Sequence, residues 1–256
     1  MGDATAAPKL RRLRRIFKPL PSGDRCKLCY APYEAPFGPV VKLLGYGRWE
    51  KNPSLCGVCL RSMEHDKGGA EIELSFLFAD LRGSTELSRT MPPVAYGRLL
   101  NAFYAIAARA VQAPGGNVDK YLGDGVFALF VPGFTGPDHA AKAIEAGRRI
   151  LRETASAASI PADARPLPIG VAVHTGRAFV GVIGSAGDLT DFTALGEAVN
   201  VASRISSAAG ARELLISDAA ITAAGLATGA LERRELTLKG VEGTVSVWSD
   251  RADVLS

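Results

Sequence analysis

From residue 71 onward the chain alternates between runs that fit strands and runs that fit helices. "IELSFLFADL" is short and apolar, as a buried strand is, and Gly83, Ser84 and Thr85 lead from it into a helical pattern. The apolar spacing predicts a helix from about Pro93 to Val111. "GGNVDKYLGDGVFALFVPG" predicts two strands around a Leu-Gly-Asp-Gly turn, whose glycines suit a backbone with positive φ. "DHAAKAIEAGRRILRETAS" predicts a helix with Ala140, Ala143, Ile144, Gly147, Ile150 and Leu151 on one face. "LPIGVAVHTGRAFVGVIG" reads as two more strands joined through His174 to Arg177. "EAVNVASRISSAAGA" reads as a small-residue helix closing on Gly210, and "ELLISDAAI" and "RRELTLKGVEGTVSVWS" finish the chain with strands. The pattern predicts an α+β fold, one sheet with helices packed on one face.

The first 70 residues look different. Residues 1–21 form a basic arm in which Leu10, Leu13, Ile16 and Phe17 fall at near-helical spacing among cations. A short amphipathic helix and a solvated tail are both open. Residues 22–66 are rich in Gly, Pro and aromatics, as a loop-dominated module would be, and "HDKGGA" (65–70) reads as a linker.

Composition changes this picture little. With 256 residues, 47% hydrophobic and 22% charged, the chain can build one good-sized core plus a small accessory module. No apolar run approaches a membrane span, and the N-terminus lacks a continuous apolar stretch of the secretory kind. The chain is therefore expected in the cytoplasm. Charge is more informative. Six cations in residues 1–21 stand against Asp3 alone, so that +5 of the net +4 sits in the arm and −1 in the remainder. Basicity belongs to the arm, which becomes a candidate for contact with anionic lipid, nucleic acid or a dimer partner. It gives no ground for nucleic-acid binding by the whole chain.

All four cysteines lie early, as Cys26-x2-Cys29 and Cys56-x2-Cys59. Two such pairs suit a tetrahedral cage for structural Zn²⁺, and metal binding would supply folding energy to a module too short for much core. An iron site or iron–sulfur cluster would use the same thiolates, and a redox dithiol pair is a third reading. His65 is a further candidate ligand or a solvated linker residue.

Two aspartates occupy odd places. Asp80 ends a strand-like apolar run, and Asp124 sits at a hairpin tip between Gly123 and Gly125. Presented at one rim of a sheet, the pair would bind hard divalent cations and so serve phosphoryl chemistry. Asn200 and Arg204 stand four residues apart on a predicted helix and share a face. A neutral hydrogen-bonder beside a guanidinium suits holding a ribose and stabilising charge on a transferring phosphorus. The neighbours Ala198, Val199, Val201, Ala202 and Ile205 are core types, so Arg204 wants a partner.

"FLFADLRGST", "DKYLGDGVFALF", "HTGRAFVGVIG" and "DFTALGEAVNVASRI" occur in the order and at about the spacing of the class III nucleotidyl cyclase catalytic domain, which residues 71–249 resemble. The resemblance implies a ferredoxin-like βαββαβ core with extra strands, converting a nucleoside triphosphate to a 3′,5′-cyclic monophosphate and pyrophosphate. It makes Asp80, Asp124 and the carbonyl of Leu81 ligands of two Mg²⁺ or Mn²⁺ ions. It makes Asn200 the ribose-orienting residue, Arg204 the transition-state arginine, Lys239 the triphosphate lysine, and Lys120 and Thr193 the base-selecting pair. It implies a homodimer with shared sites, one chain giving the aspartates and the other the base-selecting pair, Asn200 and Arg204. Many adenylate cyclases have an aspartate where Thr193 stands; threonine resembles the subclass that includes bicarbonate-stimulated enzymes.

Adenine offers an acceptor at N1 and a donor at N6, which a lysine donor and a threonine hydroxyl can meet. Guanine would want a carboxylate where Lys120 stands. ATP is therefore the expected substrate. The alternatives are a guanylate cyclase, or a zinc-ribbon nucleic-acid binder carrying a non-catalytic cyclase-like domain.

Overall fold

The computed structural model describes residues 8–49, 55–65, 69–158, 160–161, 164–184 and 190–251. Part of the expected linker, residues 66–68, lies outside them. The chain divides into two units, one of residues 1–72, 132–136 and 179–195, the other of residues 73–131, 137–178 and 196–256.

The first unit opens with α1 (Pro8–Phe17), the short α2 (Gly38–Val41), a wide turn at Lys42–Tyr46, and α3 (Gly57–His65). The basic segment is helical here, and Phe17 is buried in one small core with Cys26, Cys29, Cys56 and Cys59. This unit also holds the start of β1 (Gly69–Leu81), the helical turn α6 (Pro132–Thr135), and a hairpin of the far half of β4 (Ile169–Gly184) with β5 (Thr190–Leu195).

In the second unit β1 is followed by α4 (Ser84–Thr90), α5 (Pro93–Gln112), β2 (Asn117–Tyr121), β3 (Gly125–Phe130) and α7 (His139–Ser156), which leads to β4. The run β1-α5-β2-β3-α7-β4 is the expected βαββαβ core, and the sheet order β2-β3-β1-β4 is that of a ferredoxin-like fold. Then come α8 (Glu197–Ala208), β6 (Glu213–Ser217), α9 (Asp218–Ala224), β7 (Glu232–Thr237) and β8 (Thr244–Arg251), which extend the sheet through β6-β8-β7.

Period-two alternation assigns the faces. Leu77, Ala79 and Leu81 of β1, with Val171 and Val173 of β4, point into a large core shared with α5, α7 and α9. Every residue expected on the inner face of α7, Ala140 through Leu151, is buried.

Three expectations change. Helices cover both faces of the sheet, because α8 lies opposite the large core, with Val201 and Ile205 packed on Ala172, Leu215, Leu238 and Val247. Strands β4 and β6 pair in parallel, and the crossover that joins them puts a helix on that face. The run 169–184 is one continuous strand, with no turn at His174–Arg177. A side chain at Gly176 would meet the Ala198 side chain at 2.8 Å, so this glycine serves close approach of α8. In "ELLISDAAI" the strand stops at Ser217, whose side chain accepts from the Ala220 N–H and caps α9.

Candidate functional site

The β1–β3 ladder runs antiparallel from Ser75↔Phe130 to Asp80↔Gly125 and delivers Asp80 to its last rung. Just beyond it, the Leu81 N–H donates to the Asp124 carbonyl at 3.1 Å, so β1 also holds the hairpin tip. Gly123 has φ +71°, the left-handed value the turn requires, and the Tyr104 hydroxyl donates to its carbonyl. Leu81 itself packs its side chain into the core.

Asp124 lies close enough that its charge acts on the Asp80 carboxyl. Burial, then the charge of Asp124, pushes the Asp80 carboxyl above its ordinary value, and Arg82 pulls the other way. Two oxygen donors crowded at a half-buried rim fit a divalent cation, which would relieve their repulsion.

Three residues around this rim escape sequence reasoning. Arg82 Nη2 lies 3.5 Å from Asp80 Oδ2 and donates to the Ser206 carbonyl of α8 at 2.9 Å. Tyr96 and Tyr104 reach the rim from α5. Burial, then the Asp124 charge, raises both hydroxyls. The tyrosines are two turns apart on one helix, a spacing the sequence displays, but only the fold puts α5 beside the hairpin.

Helix α8 carries the second set. Ala198, Val201, Ala202 and Ile205 are buried, which fixes the helix and leaves Asn200 exposed. Arg204 Nη1 is buried and has no hydrogen-bond partner among the described residues. Its guanidinium lies against the turn after β7, where a side chain on Gly240 (φ +69°) would stand 2.9 Å from Nη1. Leu238 anchors that turn in the core under α8, and Lys239, exposed, stands between the two. The structure thus brings Asn200, Arg204 and Lys239 to one end of the second unit.

The base-selecting candidates belong to different units. Lys120, on β2, has its Nζ 3.5 Å from Oδ2 of Asp119, whose side chain is fully buried at a β-bulge. Such a bulge re-aims the side chains beside it. Thr193 is buried on β5, opposite Gly181 of β4.

The four cysteine sulfurs all lie within 4.8 Å of one another, and none is in a disulfide. They cannot all ionise unaided. Hydrogen bonds from Cys29, then Cys56 and Cys59, hold Cys26 below the ordinary thiol value, while Cys29 and Cys59, each facing Cys26, are pushed above it. A metal cation would balance four thiolates here.

Residues 70–249 match the family model of the adenylate and guanylate cyclase catalytic domain, so residues 1–69 fall outside the match. The chain is 32% identical over 181 residues to an adenylate cyclase of Anabaena cylindrica, covering 68% of this chain and 36% of that one. It is 30% identical over 131 residues to the terminal-differentiation-specific adenylate cyclase of Dictyostelium discoideum, covering 51% of this chain and 6% of that one. It therefore spans between 6% and 36% of the length of these curated relatives. Among solved structures it is similar to the guanylyl cyclase Cya2, with TM-score 0.64 and 30% identity over 71% of this chain and 93% of that one. It is also similar to the adenylyl cyclase CyaB from P. aeruginosa, with TM-score 0.61 and 29% identity over 71% of this chain and 95% of that one. No helix among the described residues is long and apolar enough to cross a membrane.

Proposed function

The chain belongs to the adenylate and guanylate cyclase catalytic-domain family, and on that footing we propose that it is an adenylate cyclase, converting ATP to 3′,5′-cyclic AMP and pyrophosphate. The observation that carries the proposal is that the last rung of the β1–β3 ladder and the Leu81 N–H bond to the Asp124 carbonyl bring Asp80 and Asp124 to one rim. Together with the Leu81 carbonyl they would hold two Mg²⁺ or Mn²⁺ ions. Ions bound there neutralise phosphate charge and make the ribose 3′-hydroxyl a better nucleophile.

The chain's own groups do the rest. Asn200 orients the ribose so that its 3′-oxygen is in line with the α-phosphorus. The Arg204 guanidinium, with a buried N–H that lacks a partner, stabilises charge as that oxygen attacks and the bond to pyrophosphate breaks. Lys239, on the turn beside Arg204, holds the leaving phosphates. Lys120 donates to adenine N1, Asp119 keeps its ammonium aimed, and the Thr193 hydroxyl accepts from N6. Each site takes Asp80, Asp124 and the Leu81 carbonyl from one protomer of a homodimer and Lys120, Thr193, Asn200 and Arg204 from the other.

Likeness to the guanylyl cyclase Cya2 supports a second reading, with GTP as substrate. One experiment addresses both. The purified chain is incubated with ATP or GTP and Mn²⁺, and products are identified by mass spectrometry, with Asp80→Ala as control. Cyclic AMP that disappears in the variant is the expected result. Predominant cyclic GMP would overturn the base assignment, and turnover unchanged in Asp80→Ala would overturn the site.

A further inference from the structure

The four cysteines of the first unit take no part in that chemistry, yet they are the most completely buried polarisable groups there. Cys26, Cys29 and Cys56 are 0% exposed and Cys59 is 5% exposed. Cys29 Sγ and Cys56 Sγ are 3.7 Å apart. The Cys56 N–H points at Cys26 Sγ from 3.3 Å, and the Cys59 N–H at Cys56 Sγ from 3.4 Å. Backbone donors aimed at sulfur favour thiolates.

We propose that the four cysteines hold a single zinc ion, and that this ion fastens the cationic helix α1 to the module. Spacing selects one metal over a cluster. A zinc–sulfur bond of about 2.3 Å in a regular tetrahedron sets sulfurs about 3.8 Å apart. That matches the 3.7 Å separation, and no sulfur pair exceeds 4.8 Å. An iron–sulfur cluster binds its cysteines to more than one iron, which splays the sulfurs further. Burial leaves no open coordination position, so the site is structural. A closed four-thiolate tetrahedron is the usual cage of structural zinc.

Helix α1 is tied to the first knuckle. The Arg14 Nε–H donates to the Leu28 carbonyl, between the two knuckle cysteines, at 2.7 Å, and its guanidinium lies over the Tyr30 ring at 5.2 Å. Arg25, next to Cys26, donates to the carbonyls of Leu20 at 2.7 Å, Ser22 at 3.1 Å, and Phe17 and Lys18 at 3.4 Å, so it closes the helix's C-terminal end. Tyr30 holds φ +65°, a strained value for a side-chain-bearing residue, and its N–H bonds the Cys26 carbonyl at 2.9 Å. Four of the seven buried residues of this core are the cysteines themselves. The other apolar residues packed there, Leu10 and Leu13 of α1 among them, are only partly buried, so without a metal little fully buried surface remains to hold the knuckle in that shape or the helix against it.

The test uses the full chain, purified under reducing conditions. Elemental analysis should find one zinc per chain, and growth with Co²⁺ should give the visible absorption of tetrahedral cobalt–thiolate. Limited trypsin digestion, read by mass spectrometry, should be slow after the exposed Arg11, Arg12 and Arg15. Chelation should speed these cleavages by roughly tenfold or more, as local unfolding would, and one equivalent of zinc should reverse the change. Iron, with or without acid-labile sulfide, two disulfides, or a metal-free chain would overturn the zinc site. Cleavage indifferent to chelation of a zinc-loaded chain would overturn its hold on α1.

Discussion

Asp80 faces Gly125 across the β1–β3 ladder so closely that a methyl group on the glycine would stand 2.9 Å from Asp80 Oδ1 and 3.2 Å from the Ala79 carbonyl. The glycine's lack of a side chain is what lets the carboxylate lie over the hairpin that carries Asp124.

Gly125→Ala should therefore push the Asp80 carboxylate off its position while leaving the ladder intact, since Gly125 does not need positive φ. The expected outcome is a loss of cyclase activity of ~100-fold, the scale of a misplacement of about 1 Å, with a near-unchanged melting temperature. Full activity in a folded variant would contradict the account of this rung.

Asp80→Asn should separate stability from activity. The Asp80 carboxyl sits above its ordinary value through burial and the Asp124 charge, so its ionised form costs the fold stability at neutral pH. Without divalent cations at pH 7 the variant should melt higher than the parent, yet be inactive. The gain should shrink as pH falls and the parent's own carboxyl takes up its proton. A lower melting point at pH 7 would argue against a repulsive pair.

His174 gives the fold an acid limit. Burial lowers it from 6.5 to about 4, and its Nδ1 lies 2.8 Å from the Ser217 hydroxyl. Between those two pH values the unfolded chain binds a proton that the native chain refuses, so stability falls with falling pH across that window, by up to ~3 kcal/mol. Denaturant titrations at pH 7 and pH 5 should show the fall in the parent and a smaller one in His174→Gln.

Base choice should depend on Asp119 as well as Lys120. With Lys120 Nζ 3.5 Å from the buried Asp119, Lys120→Glu alone would set two acids together and should lose ATP turnover without gaining GTP. Adding Asp119→Asn removes that repulsion. The ratio of kcat/KM for ATP over GTP should then fall ~100-fold relative to the parent. Equal nucleotide preference in parent and double variant would show that the pair does not read the base.

Much of this was legible in the sequence, for a physical reason. Helix α7 was readable because Ala140, Ala143, Ile144, Gly147, Ile150 and Leu151 repeat at the helical period, and all of them are buried. The Asp124 turn was readable because its glycines are needed locally. What stayed hidden depends on contacts between distant segments. Gly176 in "HTGR" resembles a turn until Ala198 of α8 is packed against it. The apolar runs of β4 and β6 do not say that both faces are covered. Arg82 looks like a solvated neighbour of Asp80, because its other partner, Ser206, is 124 residues away. Asp119 looks like one more strand acid until the bulge buries it.

The central claim is a site built from the Asp80–Asp124 rim of one protomer and the Asn200–Arg204 helix of its partner. Asp80→Ala and Arg204→Ala should each be nearly inactive. After subunit exchange at equal amounts, half the dimers are mixed and each has one intact site of two, so about a quarter of parental activity should return. Continued inactivity, with exchange proven by mass spectrometry of differently tagged chains, would mean that the two sets of residues do not meet across a dimer.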